Sequence, residues 1–288
     1  MIRHILVPAA GSGGDEAAFT AALAVARMDG GHLQFLHAAL DVTATIALMS
    51  ADGMGGGGVL ASTIDELEAD AKALENKAHG EVAAFCARAG VALDASAAEP
   101  GKISAEFTVE TGDAANCVAD AGRFADLIVT RRPAGDELTT GVLEAALVAS
   151  GRPMLLADGT SNPTLPGVVV IAWKDRPEAA RAVAAAMPFL ERASKVVIVS
   201  VEEDGSAPHT SCERLLRTLR WHNPATEVKH VPRGERPAVE VLLETADQLG
   251  ASLLVMGAYS HSRLRELVFG GFTHSVLDKA SLPVLMSH

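Results

Sequence analysis

The residues from Met256 to Thr273 have the types and spacing that could do chemistry. Gly257 ends an apolar run, Ser260 follows, and Gly270-Gly271 with Phe272 and Thr273 lead into a helical stretch. A glycine at a strand end lets the backbone turn tightly and approach a ligand closely. Free N–H groups at a helix N-terminus, with the helix dipole behind them, form an anion site. The segment therefore reads as a phosphate loop, set against the plainer reading that its glycines only make turns. Arg263 and Arg265 could reach a phosphate, although such residues are ordinarily solvated. His261 and His274 flank the loop as potential acids or contacts, or as surface and helix-end residues.

Other constellations carry less. No Gly-x4-Gly-Lys-Ser/Thr occurs, and no strand-borne Gly-x-Gly-x-x-Gly, which argues against a P-loop engine and a dinucleotide dehydrogenase. His209-x2-Cys212 with His222 offers three zinc ligands in no finger spacing, so no metal is assigned. No Gly-x-Ser-x-Gly elbow and no nucleophile with its base is evident, so no catalytic residue is named.

The elements that must position the loop follow from pattern. The 288 residues are 49% hydrophobic but only 4% aromatic, which suits helices on a parallel sheet better than a β-sandwich. A net charge of −12 disfavours nucleic acid and anionic membranes as partners. Three scattered cysteines and the absence of an apolar run of about 20 residues lead us to expect a soluble, cytoplasmic protein.

The chain repeats itself. Ala125–Thr130 resembles Ala251–Met256, Arg152–Leu156 resembles Leu282–Met286, and Ile5-Leu6-Val7 matches Val168–Ile171. The turn-rich stretch Asp158–Gly167 reads as a linker between domains at 1–158 and 167–288. In the second half, strands are expected at Val168–Ala172, Lys195–Val201, Glu227–Val231, Ser252–Met256 and Val284–Met286. Helices are expected at Pro177–Leu190, Cys212–Trp221, Pro237–Leu249 and Thr273–Lys279. This alternation predicts an α/β fold of two tandem, doubly wound, five-stranded parallel-sheet domains, which bind ligands at the carboxyl ends of their strands. The first half adds a strand at Leu33–His37, a glycine-rich segment, Met49–Leu60, expected to be a mobile loop, and a long acidic helix over roughly Thr63–Arg88.

Gly257-x2-Ser260-x9-Gly270-Gly271, followed by Ser281-Leu282-Pro283-Val284-Leu285-Met286, resembles the Gly-x2-Gly-x9-Gly-Ser/Thr signature of the universal stress protein (UspA) family. Together the two halves extend the resemblance over nearly the whole chain. It implies a Rossmann-like fold of universal stress protein type, with the halves forming an internal pseudo-dimer whose last strands, Met154–Leu156 and Val284–Met286, pair. It also implies a stress-response protein that binds ATP, with Mg²⁺, or a related adenine nucleotide as a sensor or switch, with at most slow hydrolysis. By the resemblance, Asp175 contacts the base and ribose, Val201 lines the adenine pocket and Met256 lies beside the first glycine. Gly257, Ser260, Gly270, Gly271, Phe272 and Thr273 surround the phosphates.

Two departures stand out. Ser260 replaces the second glycine, and Gly271 replaces the Ser/Thr hydroxyl, whose lost hydrogen bond costs about 1.5–3 kcal/mol. In the first half Arg131 takes the place of Gly257 and Ala10 that of Asp175, so that half is expected to be structural. A nucleotide-free interaction module of the same fold is the alternative. It would dock an unidentified protein partner, with Met49–Leu60 as docking or lid element. Either the tandem pair suffices, or two chains assemble into a further homodimer.

Overall fold

The computed structural model describes residues 1–51, 57–93, 101–133, 137–159, 165–202, 210–258 and 271–288. In chain order the first half runs β1 (His4–Pro8), α1 (Glu16–Asp29), β2 (Gly31–Ala39), α2 (Val42–Ala51), α3 (Gly57–Ala89), β3 (Ala92–Leu93), β4 (Ile103–Thr111), α4 (Ala114–Gly122), β5 (Leu127–Thr130), α5 (Glu137–Ala149) and β6 (Met154–Leu156). The second half runs β7 (Val168–Ala172), α6 (Pro177–Leu190), β8 (Lys195–Glu202), α7 (Thr210–Leu219), β9 (Thr226–Pro232), α8 (Ala238–Gln248), β10 (Ala251–Gly257), α9 (Gly271–Lys279) and β11 (Val284–Ser287).

The expected β7 and α6 coincide with those observed. The run Val-Val-Val-Ile-Ala suits a strand covered on both faces. Pro177 sits at the first helical position, where its missing N–H costs nothing and its fixed φ suits the helix.

All eleven strands form one sheet, ordered β3-β4-β2-β1-β5-β6-β11-β10-β7-β8-β9. Every pairing is parallel except β6 with β11, where Leu285 faces Leu155 at the centre of an antiparallel register. That pair joins the halves about an approximate twofold axis. Each half reverses its winding beside its first strand, between β1 and β5 and between β7 and β10. These are the switch points at which a doubly wound sheet opens a crevice.

Two apolar layers cover the sheet. One unites α1 and α6 with the buried aromatics Phe19, Phe35, Phe85 and Phe189. The other places Val118, Leu143, Leu147, Val239, Leu242, Val276 and Leu277 of the opposing helices on the sheet.

The first half departs from expectation in three ways. Among the described residues it holds six strands rather than five, β3 being a two-residue addition at the edge of β4. Met49–Ala51 ends a helix, α2, and Gly57 and Gly58 open α3, which therefore begins before Thr63. A helix of 33 residues carries two glycines in its first turn, where the cost of ordering them is set against a long run of good helix formers behind. Residues 52–56 of the glycine-rich segment lie outside the described residues.

Candidate functional site

The second half brings three predicted positions to one edge. Met256 pairs with Ala172, and Ala172 with Val199, so the carboxyl ends of β10, β7 and β8 stand side by side. Gly257 and Val201 lie at that edge, and Asp175 lies in the exposed turn between β7 and α6. The helix α9 starts at Gly271 and returns to β11. Ser260 and Gly270, with His261, Arg263 and Arg265, lie outside the described residues.

The individual side chains divide. Met256 is 3% exposed and belongs to the apolar layer, so only its backbone faces the crevice. Val201 is half-buried against the same layer, leaving part of its side chain free. Among the described residues nothing stands within 4 Å of where a Gly271 Cβ would lie, so these residues leave the first amides of α9 approachable. Phe272 is 41% exposed beside it, whereas Thr273 is buried. His274 is exposed and pairs with Asp278 at 3.0 Å within α9.

Gly257 has another reason to be glycine. A Cβ there would lie 2.5 Å from the Ala179 amide nitrogen and 2.7 Å from the Glu178 carbonyl carbon. The start of α6 therefore packs on the end of β10 at backbone distance, and the glycine is required by a neighbouring helix rather than by a ligand.

Two residues at this edge were not foreseen. Trp173, directly after β7, is half-buried and donates its indole N–H to the Ser211 hydroxyl at the start of α7, 3.3 Å away. Below it Cys212 is buried, which pushes its thiol up, partly offset by hydrogen bonds with Ser200 and Ser211. Glu178 keeps a buried carboxylate oxygen, Oε2, without a hydrogen-bond partner. A tryptophan at a strand end is visible in a sequence. An orphaned oxygen depends on how α6 docks and leaves no sequence signal.

The first half shows what the same edge looks like when filled. The Ile128 amide donates to the Pro153 carbonyl as the Leu254 amide does to that of Pro283, which sets Arg131 opposite Gly257. The Arg131 guanidinium lies 3.3 Å from the Asp15 carboxylate and 2.9 Å from the Thr139 hydroxyl. Asp15 accepts from the amides of Ala10 and Gly11, at 2.8 and 3.2 Å. A side-chain carboxylate thus takes the amides that a ligand anion would use. Burial raises the Asp15 carboxyl above its usual value, against the pull of these amides and of Arg131.

The helix α3 closes the place from above: a Cβ on Gly11 would lie 2.7 Å from the Leu74 carbonyl oxygen. A cleft of about 410 Å³ remains between α1 and α3. Its charges are compensated by the pairs Arg88–Glu16 at 2.6 Å and Lys77–Glu81 at 4.0 Å. One correspondence shifts by a residue. Ala9 and Trp173 make equivalent hydrogen bonds to Leu36 and Val199, so Gly11 rather than Ala10 stands opposite Asp175.

Arg132, the next residue, crosses to the other half. Its Nη1 donates to the carbonyls of Val276 and Leu277 at 3.3 and 3.0 Å, and its Nη2 to that of Leu282 at 2.5 Å. Burial pushes its pKa down, and Asp158 partly restores it.

Among the described residues no group of three potential ligands could hold a metal. His209 lies outside them, Cys212 lies in the first turn of α7 and His222 three residues beyond its end. Among the same residues no helix is long and apolar enough to cross a membrane.

A doubly wound sheet whose first switch point is filled by side chains defines an α/β class, and comparison narrows it. Residues 167–288 match the model of the universal stress protein family. A stretch of 48 residues is 46% identical to the Universal stress protein Slr1230 of Synechocystis, and it spans 17% of each protein. Over 98% of this chain and 97% of the other, the fold is similar to a universal stress protein from Archaeoglobus fulgidus, with TM-score 0.67 and 17% identity. A functionally unknown protein, PA1789 of Pseudomonas aeruginosa, is similar over 99% and 92% of the two chains, with TM-score 0.55 and 15% identity. The second half thus carries a domain that matches the universal stress protein family, and the fold of the whole length is similar to that of the Archaeoglobus protein.

Proposed function

We propose that the second half binds an adenine nucleotide, ATP in the first instance, at the edge formed by β10, β7 and the start of α9. The observation that carries the reading is the contrast between the halves. The first switch point is occupied by Arg131, Asp15 and α3, whereas the N-terminus of α9 begins at Gly271 with open space beside it. Phosphates would meet the first amides of α9, in keeping with the anion preference of a helix N-terminus. The base and ribose would lie towards Asp175 and Val201, with Trp173 at the margin. The described donor set fits the phosphates better than it fits a metal, so Mg²⁺ would arrive on the polyphosphate and screen its charge there. Domains at 1–158 and 167–288 would then divide the work: the first supports and the second binds, as a sensor or switch in a stress response.

One observation favours the second reading, a nucleotide-free interaction module. Gly257, the leading glycine of the loop, is explained by α6 without any ligand.

Calorimetric titration of the nucleotide-stripped protein with ATP and Mg²⁺ separates the two. One site per chain, weakened in Gly271→Val, is the expected result. The absence of binding, with no nucleotide retained on purification, would leave the interaction module. Gly257 is unsuitable for this test, because any side chain there strikes α6.

A further inference from the structure

We infer that Arg132 is a positioning residue through which the filled first half holds the site helix of the second half in place. The inference rests on the proposed nucleotide site, and it deepens that reading by naming what orients α9. Arg132 leaves the end of β5 in the first half, yet its hydrogen bonds to Val276, Leu277 and Leu282 all end in the second. Two of them take carbonyls in the last turns of α9 and the third takes Leu282, in the turn that leads to β11. The last carbonyls of a helix lack partners within it, and a cation there also complements the helix dipole. The Arg132 fork reaches three carbonyls at this end, that of Val276 also accepting from the Ala280 amide, while its Nε is buried without a hydrogen-bond partner among the described residues.

The geometry connects the two ends of a short lever. Nine residues of α-helix span about 13 Å, so a tilt at the clamped C-terminus moves the Gly271 amides at the other end. Val276 and Leu277 bury their side chains in the core, which fixes where α9 lies. Another tether, Lys279 to Glu240 at 3.0 Å, is an exposed pair within the second half and adds little. The position opposite Arg132 in the second half is Ala258, which has no such reach, so the clamp runs one way. The half that lost its own open edge supports the edge of its neighbour.

The test uses the full chain with Arg132→Met, Arg132→Lys and, as control, Arg123→Met. Arg123 is a first-half arginine whose bonds to Asp120 and Ala149 stay within that half. Hydrogen exchange over residues 271–279 and titrations with ATP and with adenosine are measured together. Arg132→Met should speed exchange in α9 and weaken ATP roughly three- to thirtyfold, while adenosine, which has no phosphates, changes less than about twofold. Arg132→Lys should recover part of the loss, and the control should match the wild type. Unchanged exchange in α9, or equal losses for ATP and adenosine, would overturn the inference. If the wild type binds no nucleotide, the site reading fails separately, and exchange alone decides the clamp. Should Arg132→Met not fold, the same exchange comparison is made on Arg132→Lys.

Discussion

Gly257→Ala tests the packing at the site edge most directly. The new Cβ would stand 2.5 Å from the Ala179 nitrogen, 2.7 Å from the Glu178 carbonyl carbon and 2.9 Å from the Glu178 Cβ, distances that real Cβ atoms do not tolerate. Two of the three atoms are backbone in the first turn of α6, so no rotamer change can relieve the contact. The turn cannot move freely, because Ala179 and Ala182 are buried and the Ala180 amide bonds to the Arg176 carbonyl at 3.1 Å. Overpacking of this kind costs about 1–3 kcal/mol. Removing a glycine from the unfolded chain returns about 0.4–1 kcal/mol, so the net loss is about 1–2 kcal/mol. For a chain of this size that lowers Tm by roughly 2–6 °C. Gly271→Ala is the matched comparison. Its Cβ meets nothing within 4 Å, and alanine is the better helix former, so stability should hold or rise by about 0.5 kcal/mol. Urea and thermal unfolding followed by circular dichroism read both variants. A Gly257→Ala protein as stable as the wild type would refute the close approach of α6 to β10.

Three further outcomes are expected. Asp15 titrates above its unfolded value of 3.8 because burial outweighs its hydrogen bonds and Arg131, with Glu81 adding to the rise. Its contribution is therefore present below that value and is lost as pH rises through the folded one. Relative to Asp15→Asn, the wild type should lose stability as pH rises from about 4, and a wild type that gained instead would show that Arg131 dominates. In Trp221→Phe, which removes an indole 89% exposed, the remaining tryptophan is Trp173, and ATP should shift its emission; a silent spectrum at saturating ATP, with binding seen by calorimetry, would put the base elsewhere. Leu155→Ala, at the centre of the β6–β11 junction and fully buried, should cost about 2–5 kcal/mol in urea unfolding, and a loss below 1 kcal/mol would mean the junction is not a packed core.

The fold was legible where one residue pattern admits one structure. Val168–Ala172 and Pro177–Leu190 could be read to the residue, because an all-apolar β-branched run and a proline-led helical period have few alternatives. The pairing of the last strands followed from the resemblance to the universal stress protein family. The start of α3 could not be read, since Gly57 and Gly58 argue locally for a loop and are ordered only by the helix behind them. Nor was α2 visible, because Val42–Ala51 carries no charged residue and its few hydroxyls, on Thr43, Thr45 and Ser50, mark no helical period. At the site, the position of Gly257 was legible but its reason was not. A motif records that a residue lacks a side chain, while only the docking of α6 shows which neighbour forbids one.

The two switch points show how one duplicated edge can take two roles. In a parallel sheet the crevice exposes strand-end amides, and these need partners. The first half satisfies them internally: Asp15 takes the amides of Ala10 and Gly11, Arg131 neutralises Asp15, and α3 covers the loop. Once the edge is closed, Arg132 is free of any duty there, and it faces the neighbouring half across the antiparallel junction. There it meets carbonyls at the C-terminal end of α9, of which that of Val276 also accepts from the Ala280 amide. In the second half the amides at the start of α9 have no such side chain provided among the described residues, and Gly271 leaves them approachable. Closure on one side therefore supplies the clamp, and the clamp steadies the open end on the other. On this account the filled half does more than complete the pseudo-dimer. Replacing Arg131 should loosen only the first edge, whereas replacing Arg132 should be felt at the second.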